Sequence, residues 1–171
     1  MILGMDWLTL LHVLISLIGI VTGLVVLADL VGNRSRPGWT AWFLLFTVLT
    51  SVTGFLFFHN DHLTPAQIFG IISLVVLAVA LYALYGRGLR GAWRGAYVVS
   101  ATIALYLNFF VLVVQTFAKV PPLAAIAPGN PPSGPTFMAV QGIVLLAFIY
   151  FGWKAWKNFK PLNGYINPYT Y

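Results

Sequence analysis

Five stretches of this chain run for about 20 residues or longer with almost no charge, and that length decides what they can become. Crossing about 30 Å of hydrocarbon takes about 20 apolar residues in a helix, because each residue rises about 1.5 Å. The stretches extend approximately from Trp7 to Val31, Trp39 to Phe58, Pro65 to Tyr85, Ala96 to Ala118 and Phe137 to Trp153. Each is too long for a barrel strand and lacks the alternation of polar and apolar residues that a barrel requires. With 60% hydrophobic and 7% charged residues, the chain also lacks the polar surface of a soluble domain. The expectation is an all-α integral membrane bundle of five transmembrane helices.

The breaks carry ordinary stop and start signals: Gly32-Asn33, Pro37-Gly38, Thr64-Pro65 and Gly86. Sorting the basic residues by connection places Arg34, Arg36, Arg87, Arg90, Arg94, Lys154, Lys157 and Lys160 on one side and Lys119 on the other. Eight of the nine positive charges thus mark a single face. The positive-inside bias then predicts an outside N-terminus and a cytoplasmic C-terminus. The opening MILGMDW has no basic n-region, which predicts that the first span is a retained anchor. Trp39, Trp42, Tyr82, Tyr85, Trp93, Tyr97, Trp153 and Trp156 would gather at the basic interface, where amphipathic rings anchor helices. The net charge of +6 sits beside apolar runs, so anionic lipid explains it and nucleic acid is not expected as a partner. Residues 1–160 form the predicted transmembrane domain and 161–171 a cytoplasmic tail ending in tyrosines. The segment 119–136 holds six of the ten prolines and predicts an outer, non-helical connector.

Few residues can do chemistry. There is no cysteine and no glutamate, which excludes disulfides, thiolate metal sites and cysteine nucleophiles, and the carboxylates are limited to Asp6, Asp29 and Asp61. Asp29 falls at the basic end of the first span, where Arg34 and Arg36 compensate it. The turn HNDH supplies His59, Asp61 and His62, a candidate metal set of imidazole and carboxylate. Three ligands fall one short of a closed tetrahedral site, so a plain polar turn competes with metal binding. His12 lies inside the first span, about 8 Å below Trp7 by helical rise. Asn108 and Gln115, seven residues apart on one face with Ala101 and Ala104, join Gln141 and the threonines of the second span in a polar outer half. Two readings stay open for His12, Asn108, Gln115 and Gln141. In one they bond across helices as structural glue; in the other they line a pocket for haem, chlorophyll, a quinone headgroup or a polar solute. Gly19 and Gly23 form a GxxxG pair suited to close helix packing.

The stretches TSVTGFLFFHNDHLTPAQ and ALYLNFFVLVVQTFAKVP resemble a group of small, uncharacterised multi-span proteins of the bacterial inner membrane. That resemblance implies location and a helical bundle, and no activity. With catalytic groups missing, the expected function is a non-catalytic accessory subunit of a larger membrane complex, partnered by other membrane subunits or by further copies of itself. A redox or pigment subunit using His12 and a small permease with an outward-facing polar site are the alternatives.

Overall fold

The computed structural model describes residues 6–57 and 65–161. They form α1 (Trp7–Val31), α2 (Pro37–Phe57), α3 (Pro65–Leu81), a π-helical turn (Tyr82–Gly86), α4 (Ala92–Lys119), α5 (Pro121–Ile126) and α6 (Pro135–Asn158). The fold is all-helical, with five helices long and apolar enough to cross a membrane. Local chemistry sets their ends. The Asp6 side chain accepts the Thr9 N–H at 2.9 Å and caps α1. Pro37, Pro65 and Pro135 open helices at positions whose N–H has no intrahelical partner. At the far end of α1, the Gly32 N–H returns to the Ala28 carbonyl at 2.9 Å. Gly88 and Gly91, both at positive φ, and Leu89, also at positive φ, turn the chain between the π-helical turn and α4.

Two of the expected boundaries change. The segment 119–136 does contain a helix: Pro121 and Pro122 occupy the first turn of α5, where proline costs no hydrogen bond, and LAAI continues it. The last long helix continues to Asn158, so Lys154 and Lys157 are helical rather than part of a following loop. Their ammonium groups lie over the rings of Tyr150 (5.9 Å) and Trp153 (4.3 Å).

Neighbouring helices close a ring in the order α1, α2, α3, α4, α6 and back to α1, and α4 additionally touches α1 and α2 across it. Among the described residues the buried apolar core fills the half of that ring nearest the basic connections. It consists of Val26, Leu27 and Leu30 of α1, Phe43 and Leu44 of α2, Leu77 and Ala80 of α3, and Tyr97, Val98, Ala101, Ala104 and Leu105 of α4, closed by Phe148 and Ala155 of α6. Gly23 lets α1 into it: a methyl there would stand 2.5 Å from Leu105 Cδ1 and 2.8 Å from the Phe43 ring. The outside is apolar all round, with Val21, Leu45, Val75, Ile143 and Leu146 each more than half exposed. Such a surface is compatible with lipid.

Candidate functional site

Thr53 packs His12 into the half of the bundle opposite the basic connections. The Thr53 hydroxyl donates to the Leu49 carbonyl at 2.7 Å. With its one proton committed, its oxygen accepts from His12 Nδ1 at 2.8 Å. A methyl added at Gly54 would stand 3.6 Å from the imidazole Cε1, so the ring lies against this glycine of α2.

The other predicted residues do not converge on His12. Gln141 of α6 is buried and donates from Nε2 to the Phe110 carbonyl at 3.2 Å, while its Oε1 is enclosed without a partner. Asn108 of α4 is half-buried, and its Nδ2 is likewise enclosed and unpartnered. Gln115 is exposed. From Ala101 to Gln115 the shared face has turned by about 40°. Counting from the Phe69–Phe110 ring contact also puts Gln115 at the level where α3 begins. His59, Asp61 and His62 lie outside the described residues. Among the described residues no group of three or more His, Cys, Asp or Glu side chains stands close enough to hold a metal ion.

The interior offers little room. The two best-formed cavities among the described residues measure about 10 Å³ each, about the space of one water. Neither includes His12, Asn108, Gln115 or Gln141. A site for a drug-sized ligand takes on the order of 300 Å³ or more.

The basic end is better organised. Asp29, 3% exposed, receives Arg36 Nε at 2.7 Å and Nη2 at 2.9 Å, and Arg34 Nε stands 3.3 Å away. Hydrogen bonding to this carboxylate raises the Arg36 pKa above its ordinary value. The sequence placed these three together. It did not disclose that the same end ties α6 to its neighbours: Arg94 Nη1 donates to the carbonyls of Trp156 (2.7 Å) and Phe159 (2.6 Å). Asn158 Nδ2 donates to the Val31 carbonyl at 2.9 Å, and the Lys160 N–H donates to Asn33 Oδ1 at 2.8 Å. Arg94 and Asn158 bind backbone carbonyls at helix ends, which a polar residue near a predicted terminus signals in kind but not in partner.

No protein-family model matches the chain, and no curated protein and no solved structure matches it either.

Proposed function

We propose that this chain is a non-catalytic subunit of a larger assembly in the bacterial inner membrane, crossing it five times with the basic end in the cytoplasm. What carries the reading is the way α6 is held. Its buried residues are Gln141, Phe148 and Ala155, one line at a spacing of seven. Of its apolar window 11% is buried, against 28% to 44% for the other four long helices. Met138 (70% exposed), Ile143 (68%) and Leu146 (67%) face away from the bundle. A helix clamped firmly at its basic end yet presenting most of its circumference outward suits packing against another membrane protein.

Photo-crosslinking residues placed at Ile143, Leu146 and, as a control, Val75 of α3 test this in native membranes. The reading expects protein adducts of discrete mass from the two α6 positions and lipid adducts from Val75. Lipid adducts alone at all three positions defeat it. A reporter fused after Tyr171 should be active in the cytoplasm. A visible absorption band on the gently extracted protein, lost in His12→Leu, would move the reading to a cofactor-binding subunit.

A further inference from the structure

The two cavities against α1 are of equal size, about 10 Å³ each, but their walls differ in kind. The first gathers Asp29 of α1, Ser35 and Arg36 of the connection that follows, Thr40 of α2 and Tyr97 of α4 around one space. Its inner side is closed by Leu84, Leu89 and Phe159, all buried. The second is lined by apolar side chains such as Val26, Leu27, Phe43 and Ala101. Its one hydroxyl, on Thr102, already donates to the Val98 carbonyl at 2.7 Å. Each space admits a single water, and a buried water needs about two to four polar partners.

The first cavity has such partners to offer. A carboxylate accepts about four hydrogen bonds. Asp29 receives Arg36 Nε on Oδ2 at 2.7 Å, and on Oδ1 it receives Arg36 Nη2 at 2.9 Å with Arg34 Nε 3.3 Å away. One accepting position therefore remains, on Oδ2, in a residue 3% exposed. Thr40 supplies the donor. Ser51, Thr53 and Thr102 each donate to the carbonyl four residues back, the usual recourse of a hydroxyl in a helix. Thr40 makes no such bond among the described residues, although it is buried, and it lines the cavity beside Asp29.

We infer that the first cavity holds one ordered water, which donates to Asp29 Oδ2 and accepts from the Thr40 hydroxyl, while the second stays dry. Ser35 and Tyr97, on the same lining, carry further hydroxyls for a third bond. The water joins α1 to α2 behind the arginines and keeps the carboxylate turned so that Arg36 grips it through two nitrogens. The inference does not depend on the accessory-subunit reading, since it concerns how the basic end is joined whatever the outer faces contact. Water-edited solid-state NMR of the full chain in lipid bilayers, with carbon labels in aspartate carboxyls and alanine methyls, tests it. The chain has three aspartates, so Asp6→Asn and Asp61→Asn assign the Asp29 signal by elimination. Ala101, assigned by its loss in Ala101→Gly, reports on the second cavity. The Asp29 carboxyl should show transfer from water and the Ala101 methyl none. Thr40→Val keeps the shape without the hydroxyl; it should lose that transfer and lower the thermal midpoint by about 2–4 °C, whereas Thr40→Ser should keep both within about 1 °C. No transfer at Asp29 in the unaltered protein, transfer unchanged in Thr40→Val, or equal transfer at Asp29 and Ala101 each overturn the inference. If Thr40→Val does not fold, the contrast between Asp29 and Ala101 in the unaltered protein decides alone.

Discussion

The two halves of this bundle are built on different terms. The half near the basic connections has a continuous apolar core, a carboxylate held by two arginines, and three side chains that sew helix ends together. In the opposite half the buried apolar side chains among the described residues reduce to a few, such as Ile20, Leu107 and Phe117, and polar contacts such as His12 with Thr53 lie between the helices. Small residues make the core: Gly23, Ala80, Ala83, Ala101 and Ala104 let large side chains interdigitate. Beyond it, Gly19 lies against the Phe46–Thr47 backbone and Gly54 against the His12 ring, without a comparable apolar filling among the described residues.

Glycine substitution breaks that contrast most sharply. A methyl at Gly23 collides with Leu105 and Phe43, both 1% exposed. Gly23→Ala should cost about 1–3 kcal/mol, as overpacking of a filled core does, which corresponds to a thermal midpoint lower by about 3–9 °C. At Gly54 the same methyl meets only the His12 ring edge at ordinary contact distance, 3.6 Å. Gly54→Ala should shift the midpoint by less than about 1 °C, helped by its better helix propensity. Equal effects at the two positions would mean that the halves are packed alike.

Charge gives the next largest difference. Arg36 grips Asp29 through two nitrogens, whereas Arg34 makes one contact at 3.3 Å from a side chain 66% exposed. Arg36→Ala should lower the midpoint by about 4 °C, since it strips a buried carboxylate of its bidentate partner, and Arg34→Ala by about 1 °C or less. The loss from Arg36→Ala should not vary between pH 5 and 9. The Arg36 pKa is raised by the carboxylate, so its contribution is complete below the ordinary arginine range and disappears only as pH rises through the elevated value. Thermal scans of both variants across that range provide the check.

Attachment of α6 comes third. Arg94→Met removes both hydrogen bonds that hold its C-terminal carbonyls and should cost about 1–2 kcal/mol, with Trp156 becoming more accessible to a soluble fluorescence quencher. Trp156 is a sensitive reporter because its indole covers Gly95 of α4, with Nε1 2.9 Å from where a methyl there would stand. At the other end of α6, Gln141→Leu loses a single bond at 3.2 Å and also removes an enclosed, unpartnered oxygen. Its effect should be close to zero or slightly stabilising.

These asymmetries explain what the sequence could and could not disclose. Span positions were legible because apolar length is a property of consecutive residues, and so was the pairing of Asp29 with Arg34 and Arg36, which lie one or two turns apart along the chain. The short helix at Pro121–Ile126 was misjudged because proline was weighed as a breaker without regard to position, although its missing N–H is harmless in a first turn. Asn108, Gln115 and Gln141 share polarity but not a place, since a shared helical face drifts and neighbouring helices end at different levels. Ser73 drew no notice within IISLVVLAVAL because a hydroxyl in an apolar helix ordinarily bonds its own backbone. That it does not do so here is visible only in three dimensions.

The smallest effect distinguishes the two ends by pH. Asp6 caps α1 at the end remote from the arginines, accepting the Thr9 N–H, and that hydrogen bond lowers its pKa below the ordinary carboxylate value. A carboxyl depressed in the folded state stabilises the helix start above its unfolded pKa of about 4, and the contribution is lost as pH falls through the depressed value. Amide-exchange protection at Thr9 and Leu10 should therefore fall by about two- to threefold between pH 5 and pH 2.5 after correction for intrinsic exchange rates. The same correction at Arg34, whose N–H bonds the Asp29 backbone carbonyl at 2.8 Å, gives the comparison from the basic end. Asp6→Asn retains an acceptor for the Thr9 N–H without a titrating proton, so its protection should stay flat over that interval. If the unaltered protein is equally flat, the cap at Asp6 does not act through its charge, and the difference between the two ends rests on packing alone.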